Sequence, residues 1–216
     1  MHLIYKLKMM SDFNDKQIQI LQVAEELFAA KGFDGTSIRE IAKKANINIA
    51  MVSYYFGSKE KLLESLIIFR TSDLRLQLEN LFSEDLSPME KVEKLIDLYI
   101  KRIYQNRCMY QILHFEFSSN KRLMDFKVFT DMKKQNLLSL KKIINEGQDK
   151  GVFSKDVNIA LLPPTIMGTF FHFQMNRPYY EEIFSFKSED DFDHYIKTDL
   201  TIHIKKTIKA LLVYEN

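Results

Sequence analysis

Between residues 36 and 63 the chain reads TSIREIAKKANINIAMVSYYFGSKEKLL, and no other stretch restricts the fold as much. Ser37 followed three residues later by Glu40 is a capping box, so a short helix starts there with Ile38, Ile41 and Ala42 on one face. Asn46 ends it, because asparagine tolerates the left-handed backbone of a sharp helix exit, and the apolar Ile47 tucks under the turn. Asn48 is then a good N-cap for a second helix over 49–56, whose buried side is Val52 with Phe56. Ile49, Ala50, Met51, Ser53, Tyr54 and Tyr55 point elsewhere. Two short helices joined by a tight turn are the unit that lays its second helix in the major groove of DNA.

Gly32-Phe33, Thr36-Ser37, Ile41-Ala42, the turn Ala45-Asn46-Ile47-Asn48, Tyr54-Tyr55-Phe56, Ser58-Lys59-Glu60 and Leu62-Leu63 together resemble the DNA-binding domain of TetR-family transcriptional regulators over roughly residues 14–68. The chain departs from that pattern at Asn46, where glycine is most frequent, and at Ile49, where a polar or basic residue is frequent. The resemblance implies a homodimeric, ligand-responsive regulator in the cytoplasm, more a repressor than an activator, acting on double-stranded, near-palindromic DNA without cofactor or metal. By the same resemblance Tyr54 contacts the DNA backbone, and Tyr55 either does the same or packs beneath it. Thr36, Ser37, Asn48, Ile49 and Ala50 join the expected DNA-facing set with Met51 and Ser53, which are directed at base edges. Lys59, beside the free amides of a helix start capped by Ser58, makes a place for a phosphate.

The rest of the chain reads as helix. Only 6 Gly and 4 Pro in 216 residues leave little punctuation for strands, while 46% hydrophobic residues, 17 Phe among them, fill a sizeable core. Residues 1–12 read as a loose arm in which Met1, Met9 and Met10 are alternative starts. A first helix spans 15–31, and a long fourth helix from Ser58 to about Phe82 links the reading domain, 13–70, to a second domain, 71–216. Ser87-Pro88 opens a fifth helix, a sixth covers about 107–117, and a seventh 120–150 with Phe126, Phe129, Leu137, Leu140 and Ile144 inward. Pro163-Pro164 must break or kink the early turns of an eighth over 158–174; a connector follows at 177–187, then a last helix over 193–213. The expected fold is thus all-α: a three-helix helix-turn-helix domain joined through the fourth helix to a helical ligand-binding and dimerisation domain.

Net charge alone does not point to DNA. Residues 1–61 hold nine Lys and Arg against seven Asp and Glu, and the remainder is balanced. The single Cys108 excludes an internal disulfide and fits a reducing compartment, and no apolar run approaches the roughly 18 residues of a membrane span. The histidines His114, His172, His194 and His203 lack the spacing of metal ligands, and neither a nucleophile elbow nor a glycine-rich phosphate loop is present, so no catalytic residue is assigned. Phe and Met richness in the second domain admits plain core packing or a cavity for an apolar or aromatic effector. The resemblance favours the cavity, with Phe69, Tyr104, His114 and Phe117 on one side and Phe129, Met167 and Phe170 on the other. The last helix carries an apolar stripe, Ile196, Leu200, Ile204, Ile208 and Leu211, with no chain after it to cover it; with Phe170 and Phe173 of the eighth helix it is the expected dimer interface. A helical-bundle enzyme that kept this N-terminal fold, and a DNA-binding protein that needs no effector, remain the alternatives.

Overall fold

The computed structural model describes residues 13–71, 73–119 and 127–213, and among these every regular element is helical. The helices are α1 Asp15–Lys31, α2 Ile38–Lys44, α3 Ile49–Phe56, α4 Lys59–Thr71, α5 Leu74–Ser83, α6 Pro88–Gln105, α7 Arg107–Ser119 and α8 Lys127–Asp149. A 3-10 turn, Ile159–Leu161, precedes α9 Leu162–Met175; α10 Arg177–Ile183 and α11 Glu189–Tyr195 follow, and a π-helical turn, Ile196–Leu200, runs without interruption into α12 Thr201–Leu212. The described chain forms two units. Unit 1 takes residues 1–74 and 106–134, and unit 2 takes 75–105 and 135–216.

Unit 1 is built on α1. Asn14 caps it through a full capping box with Gln17, and Gly32 leaves it at φ 73°. Ile20, Leu21, Ala24 and Phe28 form its buried face, meeting Ile41 of α2, Val52 of α3 and Leu63 of α4 in one core. Met109, Ile112 and Leu113 of α7 belong to that same core, so a helix from the middle of the chain joins the reading domain rather than the second one. Six or seven such side chains, each worth about 1.5–3 kcal/mol on burial, fix the orientation of two helices too short to stand alone. Glu25, buried on α1, is answered by Arg70 of α4, whose Nε donates to it at 2.9 Å.

The expected long fourth helix is two helices, because α4 stops at Thr71 and α5 begins at Leu74. At the end of α4 the Thr71 hydroxyl donates to the Ile67 carbonyl one turn back. Residue 126 of the expected inward set lies outside the described residues. Leu140 and Ile144 are buried, and Leu137 is only half-buried.

In unit 2, α6, α9 and the last helix pack together. Ser87 and Glu90 cap α6 reciprocally, and Pro88 costs nothing in a first turn that needs no amide. Pro163 and Pro164, expected to break or kink the early turns, sit in the first turn of α9, after the 3-10 turn Ile159–Leu161. The expected connector contains the seven-residue α10, and the last helix starts earlier than residue 193 because Ser188 and Asp191 form a capping box. Buried Lys91 donates to the Phe82 carbonyl at 2.9 Å and to Glu146 at 2.8 Å, joining the end of α5 to α6 and α8. Gly147 has no Cβ because the Phe153 ring occupies that place, 2.1 Å from where one would stand.

One expectation is overturned here. Phe170, Phe173, Ile196, Leu200, Ile204 and Ile208 are buried within their own subunit, Ile204 being 1% exposed. The stripe was predicted to lack a cover, but α6 and α9 supply it, so these side chains are core rather than dimer surface. Of the expected interface only Leu211, 47% exposed, faces out; Ile202, 51% exposed, is a further exposed apolar side chain of α12, on the opposite flank of the helix.

Candidate nucleic-acid interface

Each turn of the 36–57 segment is held by a named polar contact. The Ser37 hydroxyl accepts from the Glu40 amide at 3.1 Å and starts α2. The Glu40 carboxylate pairs with Lys31 of α1 and is also reached by the Ser37 backbone amide, the reciprocal contact of the expected box. That pairing, with smaller help from Lys44 and the Ser37 contact, holds the Glu40 carboxyl below its ordinary range. Asn46 takes the left-handed exit at φ 52°, and the Ile47 amide reaches back to the Ala42 carbonyl at 3.0 Å. Gln19 of α1 braces the turn by donating to the Ala45 carbonyl at 2.9 Å. Asn48 then caps α3, its side chain accepting from the Ala50 amide at 2.8 Å.

With Val52 and Phe56 buried, α3 presents Ile49, Ala50, Met51, Ser53 and Tyr54 to solvent. Tyr54 is 80% exposed, while Tyr55 is half-buried, with its ring edge-on to Tyr54 at 5.4 Å and to Phe56 at 6.4 Å. An outer face of apolar and aromatic side chains on a well-capped short helix is costly unless a partner covers it. On this unit of fold the partner is a DNA groove, where methyl and aromatic groups meet thymine methyls and sugars.

Two expected DNA contacts are redirected inward. Thr36 is 1% exposed, and its hydroxyl donates to the Gly32 carbonyl at 2.9 Å and to the Leu27 carbonyl at 3.2 Å. The Lys59 ammonium donates to the Phe33 and Thr36 carbonyls, both at 2.8 Å, and lies 4.2 Å from the centre of the Phe33 ring. Both side chains close the loop between α1 and α2, and Lys59 tethers the reading head through two of its donors. Arg39 and Lys43, exposed on α2, are the cations that sequence reasoning missed. They flank the buried Ile41 and Ala42 on an amphipathic helix, and that placement was the available signal.

The seven expected effector residues do not come together within either unit. Phe69, His114 and Phe129 fall in unit 1, where His114 is exposed and Phe69 meets Phe13 edge-on at 5.9 Å. Tyr104, Met167 and Phe170 fall in unit 2, and the side chain of residue 117 lies outside the described residues. Phe170 is core, and Tyr104 alone lines a described cavity, one of about 380 Å³. Among the described residues no three His, Cys, Asp or Glu side chains could hold a metal ion, and no helix is long and apolar enough to cross a membrane.

Helices held this way, with the second short one presenting its outer face, define a DNA-binding protein of the helix-turn-helix class. The model for bacterial regulatory proteins of the tetR family matches residues 20–66, and that for the tetracyclin repressor-like C-terminal domain matches residues 88–195. The transcriptional repressor NicS of Pseudomonas putida is 30% identical over 190 residues, 83% of this chain and 84% of that protein. Among solved structures, FadR of Bacillus subtilis in complex with stearoyl-CoA superimposes with a TM-score of 0.70 at 20% identity, covering 92% of this chain and 99% of that one. KstR2 of Mycobacterium tuberculosis, described as a ketosteroid transcriptional regulator, does so with a TM-score of 0.69 at 19% identity, covering 94% and 98%. The chain belongs to the TetR family and is a DNA-binding regulator of transcription.

Proposed function

We propose that this regulator is a homodimeric cytoplasmic repressor that leaves its operator when unit 2 binds a small apolar or aromatic molecule. The outer face of α3 carries the reading. Tyr54, exposed and braced by Tyr55, rests on the DNA backbone, Met51 and Ser53 reach base edges, and Ile49 and Ala50 meet thymine methyls. Ser37 and Asn48 turn free helix-start amides toward phosphates, and Arg39 and Lys43 supply the charge first sought in Lys59.

A second copy covers exposed apolar side chains of α9 and α12, Met175 on the first and Ile202 and Leu211 on the two flanks of the second. A two-fold axis there sets two α3 helices on successive major grooves, roughly 34 Å apart, of a near-palindromic site. The effector then acts by favouring a state in which that spacing is lost. The stearoyl-CoA held by the Bacillus subtilis relative supports a ligand with a substantial apolar part. The test is retention of genomic DNA fragments by the full chain. Sequence-selective, salt-dependent retention supports the reading, and uniform retention of all fragments overturns it.

A further inference from the structure

The helix from Glu189 to Leu212 carries one irregularity, the π-helical turn Ile196–Leu200. Such a turn adds backbone without advancing the helix, opens the groove beside it, and recurs at binding sites. Two threonines hold it, Thr198 donating to the His194 carbonyl at 2.8 Å and Thr201 to the Ile196 carbonyl at 2.7 Å. Directly against this turn lies the cleft of about 380 Å³, whose opposite wall is α6.

The cleft has an apolar floor and an unbalanced rim. Ile100 and Ile196 are buried at its base beside the half-buried Tyr104 ring. The one carboxylate lining the cleft, Asp97, is engaged by Lys205 at 2.8 Å, and nearby Asp193 accepts from the Tyr104 hydroxyl. Two ammonium groups have no carboxylate. Lys101 has no ion-pair partner among the described residues, and Lys197 has only the Tyr104 ring, 5.7 Å away. A flat apolar body on that floor, with an anion between the two lysines, satisfies both features at once.

The geometry points to this cleft as a ligand site for small aromatic carboxylates. Occupied, it joins α6 to the last helix at the one turn where that helix departs from regularity. Use of the cleft as the regulatory switch rests on the function proposed above, whereas binding itself does not.

The probe is 2-naphthoate, titrated calorimetrically into the full chain without DNA, with 2-naphthamide as its neutral counterpart. One naphthoate should bind per chain, and both the amide with wild type and naphthoate with Lys101→Gln/Lys197→Gln should bind about tenfold more weakly. Circular dichroism of that double variant, changed only at exposed positions, establishes that it folds. Absence of saturable binding overturns the site, as does equal binding of the amide or equal binding by the folded double variant. A second arm adds naphthoate to the operator complex. Release that the double variant resists supports use of the cleft as the switch. Binding without release overturns that use and leaves the site standing, and release by another compound without naphthoate binding overturns the site and leaves the repressor reading standing.

Discussion

The reading head and unit 2 are both built from helices with apolar faces, yet they differ in what holds the parts in place. In the head, polar side chains with specific partners set each turn: Ser37 and Asn48 cap, Asn46 exits, Gln19 braces, and Thr36 and Lys59 close the loop. In unit 2 the positioning comes mainly from Ile, Leu and Phe at helical spacing, with a few ion pairs such as Lys91 with Glu146. Polar geometry names its partner, whereas an apolar stripe says only that something covers it.

The sharpest way to break this comparison is on the last helix. Ile204→Asp places a charge in the core of unit 2 and should cost about 4–5 kcal/mol, enough to lose the cooperative helical melt. Ile202→Asp, on the outward face, should leave the melt in place while the sedimenting mass halves. A folded, monomeric Ile204→Asp protein would return the stripe to the dimer interface.

In the head, Lys59→Met removes two charge-assisted bonds to carbonyls and should cost about 2–3 kcal/mol in denaturant unfolding. If the lysine is a tether, the salt slope of operator binding stays unchanged; a slope smaller by about one unit would make it a phosphate contact.

Glu146 supplies a pH test on the other side of the comparison. Bonds from Lys150 and then from Lys91 hold its carboxyl below the ordinary value of 4.5, so its contribution is fully present above that pH and fades as pH falls through the lower folded value. Glu146→Gln should therefore be less stable than wild type at neutral pH, with the gap closing in acid melts; a constant gap would mean that the pairing is idle. Thr36→Val, keeping shape and losing a hydroxyl, is the smallest effect, about 1 kcal/mol in the same unfolding experiment, with operator preference intact.

These contrasts also show what was legible in the sequence. The caps Ser37 and Asn48 and the exit at Asn46 could be read because their partners are local, a few residues along the chain. The tethering partners of Lys59, the Phe33 and Thr36 carbonyls, were not legible because they lie 26 and 23 residues upstream and only the fold brings them to it. Tyr54 and Tyr55 could be separated into outward and packed only once α3 had a definite rotation. The end of α4 at Thr71 was hidden by an apolar pattern that continues into α5. Neither the effector cavity nor the dimer face was legible, because aromatic and aliphatic spacing fits a core equally well.

The central claim is that the outer face of α3 reads the operator while Lys59 holds the loop behind it. Selecting bound fragments from random DNA with wild type, Met51→Ala, Ser53→Ala and Lys59→Met measures this directly. A near-palindromic motif should emerge, with preferred bases changed by the first two substitutions and preserved, at whatever affinity remains, by the third. Identical motifs for wild type, Met51→Ala and Ser53→Ala, or a motif altered by Lys59→Met alone, would contradict it.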